Sequence, residues 1–190
     1  MEAFSDGVLA IVITIMVLEL RVPNGSSTSD LRSMWPGLLC YILSFVNVGI
    51  YWNNHHHLSK MVERVTGAVL WANLGLLFWL SLLPVATAWM SRNHFASLPV
   101  AIYGCVLLGA GASYYVLERA IIFAGPDESK LERAVGRDRK GIASVVIFAV
   151  AVGVSVVSRW AAFALYVVVA IMWLVPDRRL APVIEERAAE

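Results

Sequence analysis

Five stretches of this chain, 33–54, 65–91, 96–117, 141–158 and 160–176, contain no Asp, Glu, Lys or Arg, and their lengths suit helices that cross a bilayer. No water-soluble core of 190 residues needs so much uninterrupted apolar sequence. With 59% hydrophobic and 15% charged residues and a mean hydropathy of +0.71, the composition indicates an integral membrane protein. The net charge of +1 and the lack of a basic stripe interleaved with aromatics give no footprint for nucleic acid.

A sixth apolar stretch lies at the N-terminus, and it is unusual. Between Asp6 and Glu19 there are only twelve uncharged residues, which as a helix rise ~18 Å, against ~30 Å of hydrocarbon. A carboxylate therefore enters the membrane zone, where ionisable groups normally face protein or a water-filled cavity. Ile11, Thr14, Ile15 and Leu18 recur at i, i+3, i+4 and i+7, so they share one face of this helix. Gly7 and Ala10 would let another helix come close. The stripe can face a symmetry axis. It can equally be ordinary packing, with the Thr14 hydroxyl bonded to the carbonyl one turn back. The N-terminus has neither a basic region nor a small-residue cleavage pattern, so the first helix is expected to be retained.

Polar segments separate the spans. Residues 21–32, with Pro23, Asn24, Gly25 and a Ser/Thr cluster, read as a loop. His55 to Arg64 form a short connection, and Pro84 is expected to kink the third span without breaking it. Glu118 and Arg119 are expected to end the fourth span, in which Gly104, Gly109 and Gly111 offer a face for close helix contact. Residues 125–140 read as a charged connector with a short surface helix, and 177–190 as a polar tail. Six spans place both termini on one side. Eleven of the fifteen Lys and Arg residues then fall on that side, with Arg21, Arg32, Arg92 and Arg159 opposite, which predicts cytoplasmic termini. The expected fold is one all-α membrane domain, 1–190, with six transmembrane helices.

Spans two to six lack the mid-membrane charges that relay protons or bind coupling ions, which argues against a coupled transporter. No H-E-x-x-H, G-x-S-x-G or phosphate-cradling glycine loop is present, so no enzyme activity, catalytic residue or cofactor is expected. Cys40 and Cys105 read as small hydrophobes within apolar runs, without disulfide or metal. His55, His56 and His57 point about 100° apart on a helix, a poor spacing for shared metal ligation. Trp52 and His56 lie one turn apart, where His56 could hydrogen-bond Ser5 or Asp6 of the first helix or simply meet water.

Phe4-Ser5-Asp6-Gly7-Val8, followed by Ala10-Ile11 and Ile13-Thr14, with the Trp52 to His56 segment on the next helix, resembles the bacterial branch of the transmembrane protein 175 family. The animal member of that family is a lysosomal potassium channel. The resemblance implies a potassium-permeable channel, with the first helices lining a central pore. Phe-Ser-Asp occurs once, so a closed ring would need four copies, a homotetramer in the plasma membrane of a bacterium. The family's pore constriction falls on Ile11, with Thr14 and Leu18 next along that face and Ile15 beside them. Phe4, Ser5 and Asp6 fall in a network with Trp52 and His56 that holds the first helix. The arginine that family members carry four residues before the phenylalanine would fall before Met1.

A pore of Ile11 and Leu18 rings cannot replace an ion's hydration shell, and the Thr-Val-Gly-Tyr-Gly filter is absent, so the expected gate is a hydrophobic constriction. Thr14 is the selectivity candidate. Glu19 at the outer mouth either concentrates cations or is a solvated helix-end residue. The alternatives are an uncoupled facilitative carrier for a small solute and a structural membrane assembly protein.

Overall fold

The structure is a computed structural model that describes residues 1–62, 64–125 and 139–174. All regular structure among these residues is helical: α1 (Glu2–Leu18), α2 (Thr28–Ser33), α3 (Trp35–Ser59), α4 (Gly67–Ser81), α5 (Leu83–Arg92), α6 (Ser97–Ala124), α7 (Arg139–Ser155) and α8 (Arg159–Leu174). The surface helix expected within 125–140 and the tail 177–190 fall outside the described residues, apart from Gly125 and the start of α7.

Among the described residues, three helical rods are long and apolar enough to span a bilayer: α3, α4 together with α5, and α6. The apolar helices α1, α7 and α8 are shorter, at 17, 17 and 16 residues. Local chemistry sets several boundaries. Thr66 caps α4 by accepting from Val69 N at 3.3 Å. Within the expected loop 21–32, Ser27 and Asp30 form a reciprocal capping box that starts α2, so the segment is partly helical. Pro84 has no N–H to donate, yet the regular pattern lapses only at Leu82, which keeps right-handed helical backbone at φ −83° and ψ −13°, so α4 and α5 continue as one unbroken rod, as expected. At the other extreme, α6 runs on past Glu118 and Arg119 to Ala124. Glu118 is buried, and Arg119 donates from Nε to Tyr115 Oη at 3.1 Å, so these charges are held within the bundle and do not terminate the helix.

The helix α6 packs against α4 on one side and α7 and α8 on the other, while α1 lies across α3, α4 and α5. The glycines of α6 serve different neighbours. A methyl at Gly109 would overlap the Trp79 indole of α4, and one at Gly104 would overlap the Tyr166 phenol of α8. Buried hydroxyls then bond across helices: Ser44 lies 2.7 Å from Thr87 Oγ1 and 3.1 Å from Tyr103 Oη, and Tyr166 donates to Val100 O at 3.0 Å. Such bonds join helices that lipid alone gives little reason to associate.

Candidate functional site

Helix α1 has two faces of different character. Leu9, Val12 and Met16 are buried against the rest of the chain, whereas Gly7, Ala10, Ile11, Thr14, Ile15 and Leu18 are exposed. Ile11 is 58% and Leu18 81% exposed, values that leave the whole i, i+3, i+4, i+7 stripe unpaired within the chain. Nothing lies within 4 Å of a methyl built at Gly7, so the same face is open at that level. Thr14 Oγ1 donates to Ile11 O at 2.9 Å. Its proton is thereby committed to the backbone, and the oxygen lone pairs remain available to accept from water or meet a cation.

Near its N-terminal end α1 is fastened by two sets of polar contacts. The first is a ladder with α3. Trp52 Nε1 donates to Asp6 Oδ1 at 3.0 Å, and His56 Nδ1 lies 2.9 Å from Glu2 Oε1. The helices run antiparallel here, so four residues back along α1 match four residues on along α3, and both pairs fit because four residues are about one turn. The Trp52 and His56 rings stack at 5.8 Å and 18° between the two rungs. His56 thus pairs with Glu2 and not with Ser5 or Asp6, the partners suggested by the sequence, because Asp6 is taken by the indole one turn away.

The second set is buried. Asn73 of α4 donates from Nδ2 to Ser5 Oγ at 3.0 Å, and its Oδ1 lies 2.8 Å from His55 Nε2. Ser5, Asn73 and His55 are 0%, 2% and 1% exposed, so this trio ties α1, α3 and α4 together where water cannot substitute. Ser5 therefore joins Asn73 and His55, and the neighbouring histidines His55 and His56 go to separate partners. Phe4 is 59% exposed and stands outside this network. Asn73, His55 and Glu2 were missed as site residues. A hydrogen-bonding amide inside an apolar run is the signal that could have found Asn73.

At its other end α1 is held by an ion pair between Glu19 and Arg92 of α5. The Glu19 charge is compensated within the chain, which makes it a tether of the helix end more than a free charge.

Comparison with known proteins gives a consistent result. The family described as endosomal/lysosomal potassium channel TMEM175 matches residues 1–84. A potassium channel of Chryseobacterium sp. (strain P1-3) is 49% identical over 186 residues, covering 98% of this chain and 97% of that protein. The endosomal/lysosomal proton channel TMEM175 of Homo sapiens is 37% identical over 113 residues, covering 52% of this chain and 21% of that protein. Among solved structures, the crystal structure of a lysosomal potassium-selective channel TMEM175 homolog from Chamaesiphon minutus matches with a TM-score of 0.77 and 29% identity, over 91% of this chain and 94% of that one.

Proposed function

This chain belongs to the TMEM175 channel family, and from that premise we propose that it is a potassium-permeable channel in which α1 from each of four subunits lines a central pore. The observation that carries this reading is the division of α1. Its Leu9, Val12 and Met16 face is buried at home, and its Ile11, Thr14, Ile15 and Leu18 face is left for something outside the subunit. Four such faces around an axis give stacked rings of isoleucine and leucine, with Gly7 and Ala10 allowing close approach.

Rings of that kind offer no oxygen ligands, so ions pass with their water, and narrowing expels water and stops conduction. Opening is widening of the Ile11 and Leu18 rings, and conduction is passive. Thr14 supplies the polar oxygens between them and is the residue on which potassium preference would rest. Glu2, Ser5 and Asp6, held by His56, Asn73, His55 and Trp52, fix the rotation of α1 about its own axis and so decide which residues reach the pore. The remaining helices form one six-span unit with α1, oriented with both termini in the cytoplasm of a bacterium and embedded in its plasma membrane.

The test is reconstitution of purified protein in planar bilayers under a potassium-against-sodium gradient. Unitary current steps that reverse toward the potassium potential are expected. Saturable flux without steps would replace the channel with a carrier, and no flux from intact oligomers would leave only an assembly role.

A further inference from the structure

At the end of the subunit away from the N-terminus, a cleft of about 310 Å³ opens between the last turn of α1 with the segment after it, the α2–α3 junction and the end of α5. Its charged lining is Glu19, Arg21 and Arg92, and His94, Ser33 and Ser91 add polar groups. Glu19 is the single carboxylate of that lining, and Arg92 already meets it. The balance left over is cationic, with Arg21 and Arg92 both exposed.

Two further features define the place. His94 and Phe95 have φ of 48° and 59°, a left-handed pair of the kind non-glycine residues seldom adopt. The packing explains it: Phe95 is 4% exposed and its ring lies 5.1 Å from both Trp160 and Phe163. Burying Phe95 turns the preceding residue outward, and His94 lines the cleft. At the same end of the bundle Trp35, Trp89 and Trp160 are 60%, 39% and 53% exposed. Exposed tryptophans in membrane proteins gather at headgroup level, which sets the cleft at the depth of lipid phosphates.

We propose that this cleft binds a phosphate group, with the Arg21 and Arg92 guanidinium groups as its cationic partners and the Ser91 hydroxyl as a further donor. Guanidinium forks match phosphate oxygens in geometry and stay charged at any physiological pH. The depth of the cleft favours a phospholipid headgroup over a free anion. A phosphate seated on Arg92 competes with Glu19 for the same guanidinium, so occupancy loosens the tether at the end of α1. This last consequence rests on α1 lining the pore, whereas the binding itself does not.

The test titrates the detergent-purified full chain with dioleoylphosphatidylglycerol, with an uncharged galactosyl diacylglycerol of the same acyl chains and, separately, with inorganic phosphate, reading adducts by native mass spectrometry. Phosphatidylglycerol is expected to bind at least about tenfold more tightly than the glycolipid, and Arg21→Gln and Arg92→Gln each to weaken it by about tenfold, the value of a lost charged hydrogen bond. Arg21→Gln leaves the Glu19–Arg92 pair intact and should keep the wild-type melting temperature, so it decides the matter if Arg92→Gln folds poorly. Inorganic phosphate bound by wild type and lost in both variants, without phosphatidylglycerol preference, would keep the phosphate site and overturn the lipid as its source. Equal phosphatidylglycerol binding by wild type and Arg21→Gln, with no phosphate binding, would overturn the proposal. Lipid binding lost in Arg21→Gln without any effect of phosphatidylglycerol on current would overturn the coupling to α1 alone.

Discussion

Replacing Asn73 by leucine removes the group on which two buried side chains depend. His55 loses its Nε2 partner, and its Nδ1 already has no hydrogen-bond partner among the described residues. Ser5 retains a fallback, because its hydroxyl can donate to Met1 O at 3.3 Å. A buried polar group left without a partner costs about 1–3 kcal/mol, while a single interhelical hydrogen bond in a membrane is worth only about 0.6 kcal/mol. The stranded imidazole therefore dominates, and Asn73→Leu is expected to lose about 2–3 kcal/mol. His55→Leu should cost less, since Asn73 keeps Ser5. The combination is the informative variant. Once Asn73 is gone, His55→Leu removes a liability, so the double variant should be about 1–2 kcal/mol more stable than Asn73→Leu alone. Unfolding from mixed micelles with increasing sodium dodecyl sulfate, followed by tryptophan fluorescence, measures all four proteins. Additive losses in the double variant would show that His55 does not depend on Asn73 and would refute the reasoning.

Other perturbations test other parts of the molecule. Gly109→Ala places a methyl on the Trp79 indole, a rigid neighbour, and should lower stability by about 1–3 kcal/mol in the same assay. Ile11→Asn is expected to wet the constriction and raise leak current in bilayers, and unchanged conductance would take Ile11 out of the pore. Thr14→Ala should shift the reversal potential toward nonselective behaviour while the oligomer persists on size exclusion. The Asp30 carboxyl is held below its ordinary value of 3.8 by hydrogen bonds from the Ser27 side chain and then the Ser27 backbone N–H. Because the folded value is the lower one, its support of α2 is complete above pH 3.8 and fades as the pH falls through the folded value. Titration of the Asp30 carboxyl carbon by NMR should show this, with Ser27→Ala moving the midpoint upward.

How much of this could be read from residues alone varied with the kind of interaction. The exposed stripe of α1 was legible, because Ile11, Thr14, Ile15 and Leu18 repeat at helical spacing and Thr14 stands out among them. So was the nearness of α1 to the end of α3, through Asp6, Trp52 and His56. The pairing within that contact was not. Glu2 lies one turn before Asp6 and so shares its face, but only the antiparallel register shows that it, and not Ser5, meets His56. Asn73 carries no charge and lies among leucines, so a scan for ionisable groups passes over it even though it joins three helices. The length of α6 was misjudged for a related reason. Charge marks where an apolar run stops, but a helix stops where its backbone bonds end, and Glu118 is buried well before that point.

The two rungs between α1 and α3 have a consequence for how α1 can move. Rungs one turn apart make the contact periodic, like the teeth of a rack. Sliding α1 along its axis by a fraction of a turn breaks both the Glu2–His56 and the Asp6–Trp52 bonds and gains neither back. A slide of a full turn, ~5.4 Å, in one direction brings Asp6 opposite His56 and remakes one rung with the same chemistry. Such a slide must also release the Ser5–Asn73 bond and the Glu19–Arg92 pair, so the rack offers α1 a second seat only when those holds are given up.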